Sequence, residues 1–181
     1  MIDPCTGESL MRWTVRLAVA SVFLRAILRL RYRARDSISL STAECCLWGV
    51  GCLAYLSHVV LAFHFVHRWS HDDAWRHTAN ETARLIGIQR GDGLWANYAF
   101  TVIWILDLVR LIVARISGRP TSSKTDMAIF FAFAFMVFNA TVVFGPAFYR
   151  WLAIPAFLWM LLAWRRGVAC DDHPMLGKSV R

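Results

Sequence analysis

Four runs of apolar residues, each long enough to cross a bilayer as a helix, organise this sequence. A hydrocarbon core about 30 Å thick takes about 20 helical residues. The first run extends from about Ala43 to His67, with Glu44 at its edge and no Lys, Arg, Asp or Glu inside. A second covers about Leu94 to Ile116 and carries Asp107 and Arg110. The third, Met127 to Phe144, is almost entirely Phe, Ala, Val and Met with one Asn. The fourth, about Ala147 to Trp164, is interrupted by Arg150 and Pro155. Gly145-Pro146 divides the last two runs, because Pro lacks an N–H and restricts the residue before it. They therefore read as a helical hairpin.

The intervals add two more helices. Between the first two runs, Ser70 followed by Asp73 has the spacing of a capping box, and Gly87 is a natural stop. Trp75, Ala79, Thr82 and Ile86 then share one face, as expected of a short helix lying in the outer interface. Ahead of the first run, Leu17–Leu24 is apolar but bounded by arginines, so a span there would bury Arg16 or Arg25. The preferred expectation is a basic helix on the anionic cytoplasmic leaflet, with a fifth span over residues 13–30 as the alternative. The expected fold is an all-α integral membrane protein: a four-helix transmembrane bundle with a basic N-terminal helix and one outer interfacial helix. Its parts are a leader at 1–42, a transmembrane domain at 43–166 with spans near 43–67, 94–116, 127–144 and 147–164, and a short cytoplasmic tail at 167–181.

Composition agrees and adds orientation. Apolar residues make up 57% of the 181-residue chain and charged ones only 18%, which excludes an ordinary soluble domain and a disordered one. The formal charge is +8, yet the cations bracket apolar runs instead of lying among polar residues, so nucleic acid is not an expected partner. Placing both termini in the cytoplasm puts fifteen of the twenty Lys and Arg inside, as the positive-inside rule requires. The expected location is the plasma (inner) membrane, multi-pass. The lipid bilayer, its anionic inner leaflet, and a homo-oligomer or larger membrane complex are the expected partners. Trp69, Trp75, Trp95 and Trp151 fall at the outer interface and Trp48 and Trp164 at the inner one, while Trp104 and Trp159 fall mid-span as packing residues. Cys45, Cys46 and Cys52 lie in the inner part of the first span, where a reduced state is expected.

Chemistry concentrates at few positions. His64, His67 and His71 are spaced i, i+3, i+7, an arc of about 60° if the helix continues past Ser70. Imidazoles so placed can hold Zn, Cu or Fe, with an oxygen from a carboxylate such as Asp72. The competing reading leaves them as interfacial histidines bonded to headgroups and water, with Ser70 breaking the helix and turning His71 away. The run H-x-x-H-x-x-x-H superficially resembles the histidine boxes of membrane desaturases and hydroxylases, but those draw on several boxes and the other spans here have no histidine.

Inside the membrane, His58, Thr101 and Asn139 come out at similar height and are expected to form a small polar layer, either as helix–helix glue or as a transport site. Asp107 is the most costly group, and Arg110, one turn on, is its expected partner. The sequence has no G-x-S-x-G, P-loop, dinucleotide fingerprint or H-E-x-x-H, so no enzyme is expected. Three functions remain in order of preference: a small membrane protein acting by helix packing or as a subunit, a metal-binding or metal-dependent membrane protein using His64, His67 and His71, and a proton-coupled transporter using His58 and Asp107.

Overall fold

The computed structural model describes residues 3–33, 42–119, 121–143 and the single positions 145, 151, 154, 155 and 158. The span expected at 147–164 and the tail at 167–181 lie largely or wholly outside the described residues. Within them the chain is all-helical, with no strand. The order is α1 (Pro4–Arg33), α2 (Thr42–Phe65), α3 (His71–Ile86), α4 (Gly93–Ser117) and α5 (Ser123–Phe138), the last continuing into a π-helical turn at Asn139–Val143. Two helical stretches, Thr42–Phe65 and Lys124–Val143, are long and apolar enough to cross a membrane.

The leader does not form a separate surface helix. Pro4 occupies the first position of α1, where its missing N–H costs nothing, and no further Pro or Gly interrupts the helix after Gly7. At 30 residues α1 is about 45 Å long. It lies antiparallel along the whole of α2. Gly7 abuts the Phe65 ring, Ser21 abuts Gly51, and Arg25 reaches Glu44. A Cβ added at Gly51 would sit 2.7 Å from the Ser21 Cβ and 2.9 Å from the Trp104 ring, so the crossing depends on that glycine. Buried Ala18 and Ser21 opposite Gly51 and Ala54 let the two backbones approach closely. The sequence favours the leaflet for this segment because a span would bury Arg16 or Arg25. The structure instead buries Arg25 and half-buries Arg29 against acids of other helices.

α2 stops at Phe65. Arg68 and Trp69 adopt left-handed backbone angles (φ 48° and 62°), unusual for side chains of that bulk. The Trp69 indole N–H donates to His64 Nδ1 at 3.3 Å, which helps to hold this turn. Ser70 then caps α3, its hydroxyl accepting from the Asp73 N–H at 3.2 Å, and Gly87 ends the helix at φ 76°. α3 rests on the bundle through Ala74 and Ala79, with Trp75 over Gly91 and Thr78 against Gly93. Ile86, expected on that same face, is 60% exposed.

α4 runs antiparallel to α2, with Arg115 bonded to Thr42 near one end and the Tyr55 hydroxyl 3.5 Å from the Asn97 carbonyl near the other. Its buried residues Phe100, Trp104, Asp107 and Leu111 recur at helical spacing. α5 adds Phe133 and Val137. The core is aromatic: Phe133 lies 4.6 Å from Trp48, 4.6 Å from Phe100 and 4.8 Å from Trp104 between ring centroids. Trp48, expected at the inner interface, is thus a core residue at 2% exposure, whereas Trp69, Trp95 and Trp151 are exposed.

Candidate functional site

Two features flank the aromatic core. At the end where α2 starts and α4 finishes, six charged side chains from α1, α2, α4 and α5 interlock. Arg25 donates from Nε to Glu44 Oε1 (3.2 Å) and from Nη1 to Asp107 Oδ2 (3.3 Å). Arg29 donates to the same Glu44 oxygen (2.6 Å) and reaches Asp126 Oδ2 (3.2 Å). Arg110 donates to Asp107 Oδ1 from Nε (2.9 Å) and Nη2 (2.6 Å), and from Nη2 to Asp126 Oδ1 (2.6 Å). Thr121 completes Asp126 with a 2.9 Å bond.

The arrangement is electroneutral, three guanidinium groups against three carboxylates. Burial is graded through it. The side chains of Asp107, Glu44 and Arg25 are 0%, 5% and 8% exposed, whereas Arg110 and Arg29 are 25% and 32% exposed. An uncompensated charge at the inner positions would cost several kcal/mol, roughly, so the network exists only because each ion has a partner. The Arg25 guanidinium also stacks 3.9 Å from the Trp48 ring centroid, which joins the charges to the aromatic core. Above it, the indole N–H groups of Trp48 and Trp104 are buried without a hydrogen-bond partner among the described residues.

On the other side of the aromatic layer, α1, α2, α3, α4 and the end of α5 line a half-open chamber of about 370 Å³. Trp104 and Phe100 line it together with Tyr55, His58 and Thr101. His58 Nδ1 lies 3.0 Å from the Met11 carbonyl oxygen. A carbonyl only accepts, so Nδ1 carries the proton there.

The expected polar layer is therefore not a mutual one. His58 bonds to α1, Thr101 donates to the Asn97 carbonyl (2.8 Å), and Asn139 donates to the Phe135 carbonyl (2.8 Å). Short polar side chains satisfied by their own helix have no need of each other. His58 and Thr101 share the chamber wall; Asn139 is not among its lining residues. Asp107, the other residue of the transport reading, lies below the aromatic layer in the ion network.

The histidine cluster is dispersed. Among the described residues no group of three or more His, Cys, Asp or Glu is placed to hold a metal ion. His64 accepts from Trp69, the His67 ring packs against His77 (5.3 Å), and His71 Nδ1 contacts the Tyr98 hydroxyl (3.1 Å). Asp72 is exposed on the first turn of α3. The cause is the turn at Arg68–Ser70, which ends α2 before the i, i+3, i+7 arc is completed. Burial lowers the His67 pKa, and the His77 ring adds to this while Asp73 opposes it.

Asp107 does contact Arg110, but sequence reading missed Arg25, Arg29, Glu44 and Asp126 as its company. The available signal was charge accounting at one level: Glu44, Asp107 and Asp126 all fall toward the same end of their runs, where cations also gather. Comparison with protein-family models, curated proteins and solved structures finds no match.

Proposed function

We propose that this chain is a multi-pass membrane protein that works by helix packing, as a subunit or partner within a membrane assembly. The observation that carries the reading is an inverted distribution of side chains. Leu53, Leu106, Ile116 and Phe135 are more than 60% exposed, while Arg25, Glu44 and Asp107 are buried. Of the two apolar stretches able to span a bilayer, only 17% and 11% is buried, unlike the core helix of a water-soluble domain. Lipid is the medium in which such an outer surface is stable.

In this reading α2, α4 and α5 cross the membrane, and α1, being paired with α2 throughout, crosses beside it. The four-span bundle of the sequence then gains a fifth member, and the N-terminal end of α1 lies on the side of α3. Arg31, Arg33, Arg115, Arg119 and Lys124 fall at or just past the end of their helices that carries the ion network, which supports a cytoplasmic placement of that end. α3, with acidic and basic residues outward, lies at the opposite surface. Alkaline carbonate extraction of host membranes tests this reading. The chain should stay in the pellet and require detergent for release; its appearance in the supernatant would refute it.

A further inference from the structure

Beyond a packing role, the chamber above the aromatic layer has the properties of a ligand site. Its volume of about 370 Å³ falls within the ~300–1,000 Å³ typical of small-molecule pockets. Among the described residues no Lys, Arg, Asp or Glu lines it. An ionised occupant would therefore bury its charge without a counter-ion.

Three polar side chains of the wall have their protons committed. Thr101 spends its hydroxyl proton on the Asn97 carbonyl and Thr78 spends its own on the Ala74 carbonyl. His58 commits Nδ1–H to the Met11 carbonyl, and with no carboxylate among the described lining residues to pair an imidazolium, the ring is neutral and Nε2 is left as its lone pair. These three positions offer acceptors, while Trp104, whose Nε1–H is buried without a partner among the described residues, and His67, His77 and Tyr98 bring donors to the same lining. Trp104, Phe100 and Tyr55 present aromatic surface beside them. The Asn97 amide, on the exposed side of α4, keeps both a donor and an acceptor.

We propose that this chamber binds a neutral, largely apolar small molecule carrying a hydroxyl or N–H group, with the aromatic walls holding its body and His58 Nε2 accepting its hydrogen bond. The recognition is by shape and by that one donor. An apolar molecule lacking the donor fits but loses the bond, and an anion of the same size is excluded.

Three probes of similar size separate these features: 1-naphthol, naphthalene and 1-naphthoate. Each is titrated at matched bilayer concentration into the full chain in lipid nanodiscs, with ¹⁵N-labelled His and Trp. The Trp104 indole signal should shift saturably with 1-naphthol, at about tenfold tighter affinity than with naphthalene, and not at all with 1-naphthoate. The His58 Nε2 signal should move with 1-naphthol alone. In His58→Phe the naphthol advantage should vanish while naphthalene binds as before. Ala62→Trp, which fills the chamber from α2, should abolish both titrations.

Equal affinity for 1-naphthol and naphthalene would overturn the proposal, as would saturable binding of 1-naphthoate. So would an unmoved His58 Nε2 signal, a reading available without any substitution. Saturable binding that survives Ala62→Trp would place the probes elsewhere and also refute it. The carbonate extraction is independent of these outcomes, so failure here leaves the membrane reading standing.

Discussion

Arg25 and Asp107, 82 residues apart in sequence, meet at 3.3 Å inside the bundle. The carboxylate is 0% exposed and the guanidinium 8%. Neither helix tolerates its charge alone. The helix that carries Arg25 is thereby held at one rotation and one height against α2 and α4. A buried ion pair is a poor source of net stability but a strong penalty on any arrangement that separates the partners.

Asp107→Asn should therefore destabilise the fold by about 3–5 kcal/mol, because Arg25 and Arg110 lose a shared counter-ion. Adding Arg25→Met in the same chain should recover part of that loss, with a coupling of about 1–3 kcal/mol between the two sites. Reversible unfolding in detergent, followed by tryptophan fluorescence, measures all three variants. Strict additivity of the two single effects would show that the pair does not act as a unit.

A second expectation concerns the helix crossing. At Gly51 a new Cβ would lie under 3 Å from both the Ser21 Cβ, which moves only with α1, and the Trp104 ring, which is packed at 1% exposure. Gly51→Ala should cost about 1–3 kcal/mol. Ser21→Gly in the same chain should restore part of it by removing the opposing Cβ. Gly49, whose added Cβ would meet only the Leu108 methyl at 3.9 Å, should accept alanine with little change. Equal sensitivity at positions 49 and 51 would contradict the packing described.

How much of this was legible beforehand depended on whether the signal was local. Ser70, Asp73 and Gly87 bracket α3 as their residue types imply, since capping is decided within one helical turn. The contact of Asp107 with Arg110 is likewise local. Arg25, Arg29, Glu44 and Asp126 were not legible as one group, because what unites them is the packing of α1 against α2, α4 and α5. The cost of burying Arg16 or Arg25 in a span argues for a surface position; in the structure Arg25 stacks on Trp48 and uses acids from other helices. The histidine arc failed for a different reason. Its periodicity assumed an unbroken helix, and Arg68 and Trp69 at positive φ break it.

His67, just past the end of α2 and outside that helix, supplies a pH dependence. Burial disfavours its imidazolium, His77 at 5.3 Å adds repulsion, and Asp73 only partly offsets them, so its pKa lies below the usual value of about 6.5. The folded state then binds fewer protons here than the unfolded one. The associated stability is fully present above the unfolded value and is lost as pH falls through the lowered folded value. Titration of the His67 ring by NMR should give a midpoint below 6.5, and His77→Gln should move it up. A midpoint at or above 6.5 would remove this contribution.

The placement of α1 yields the sharpest test of topology. Because Gly7 meets Phe65 and Arg25 meets Glu44, the N-terminal end of α1 must lie on the same side as the turn into α3. Single cysteines at Ser9, Asp92 and Lys124, introduced into a chain whose native cysteines are replaced by serine, report each side through a membrane-impermeant maleimide. Ser9→Cys and Asp92→Cys should label together from one face of sealed vesicles, and Lys124→Cys only after permeabilisation or from inverted vesicles. Labelling of Ser9→Cys together with Lys124→Cys would return α1 to the cytoplasmic surface. That result would separate Arg25 from Glu44 and Asp107, and the buried charges of α2 and α4 would then need other partners.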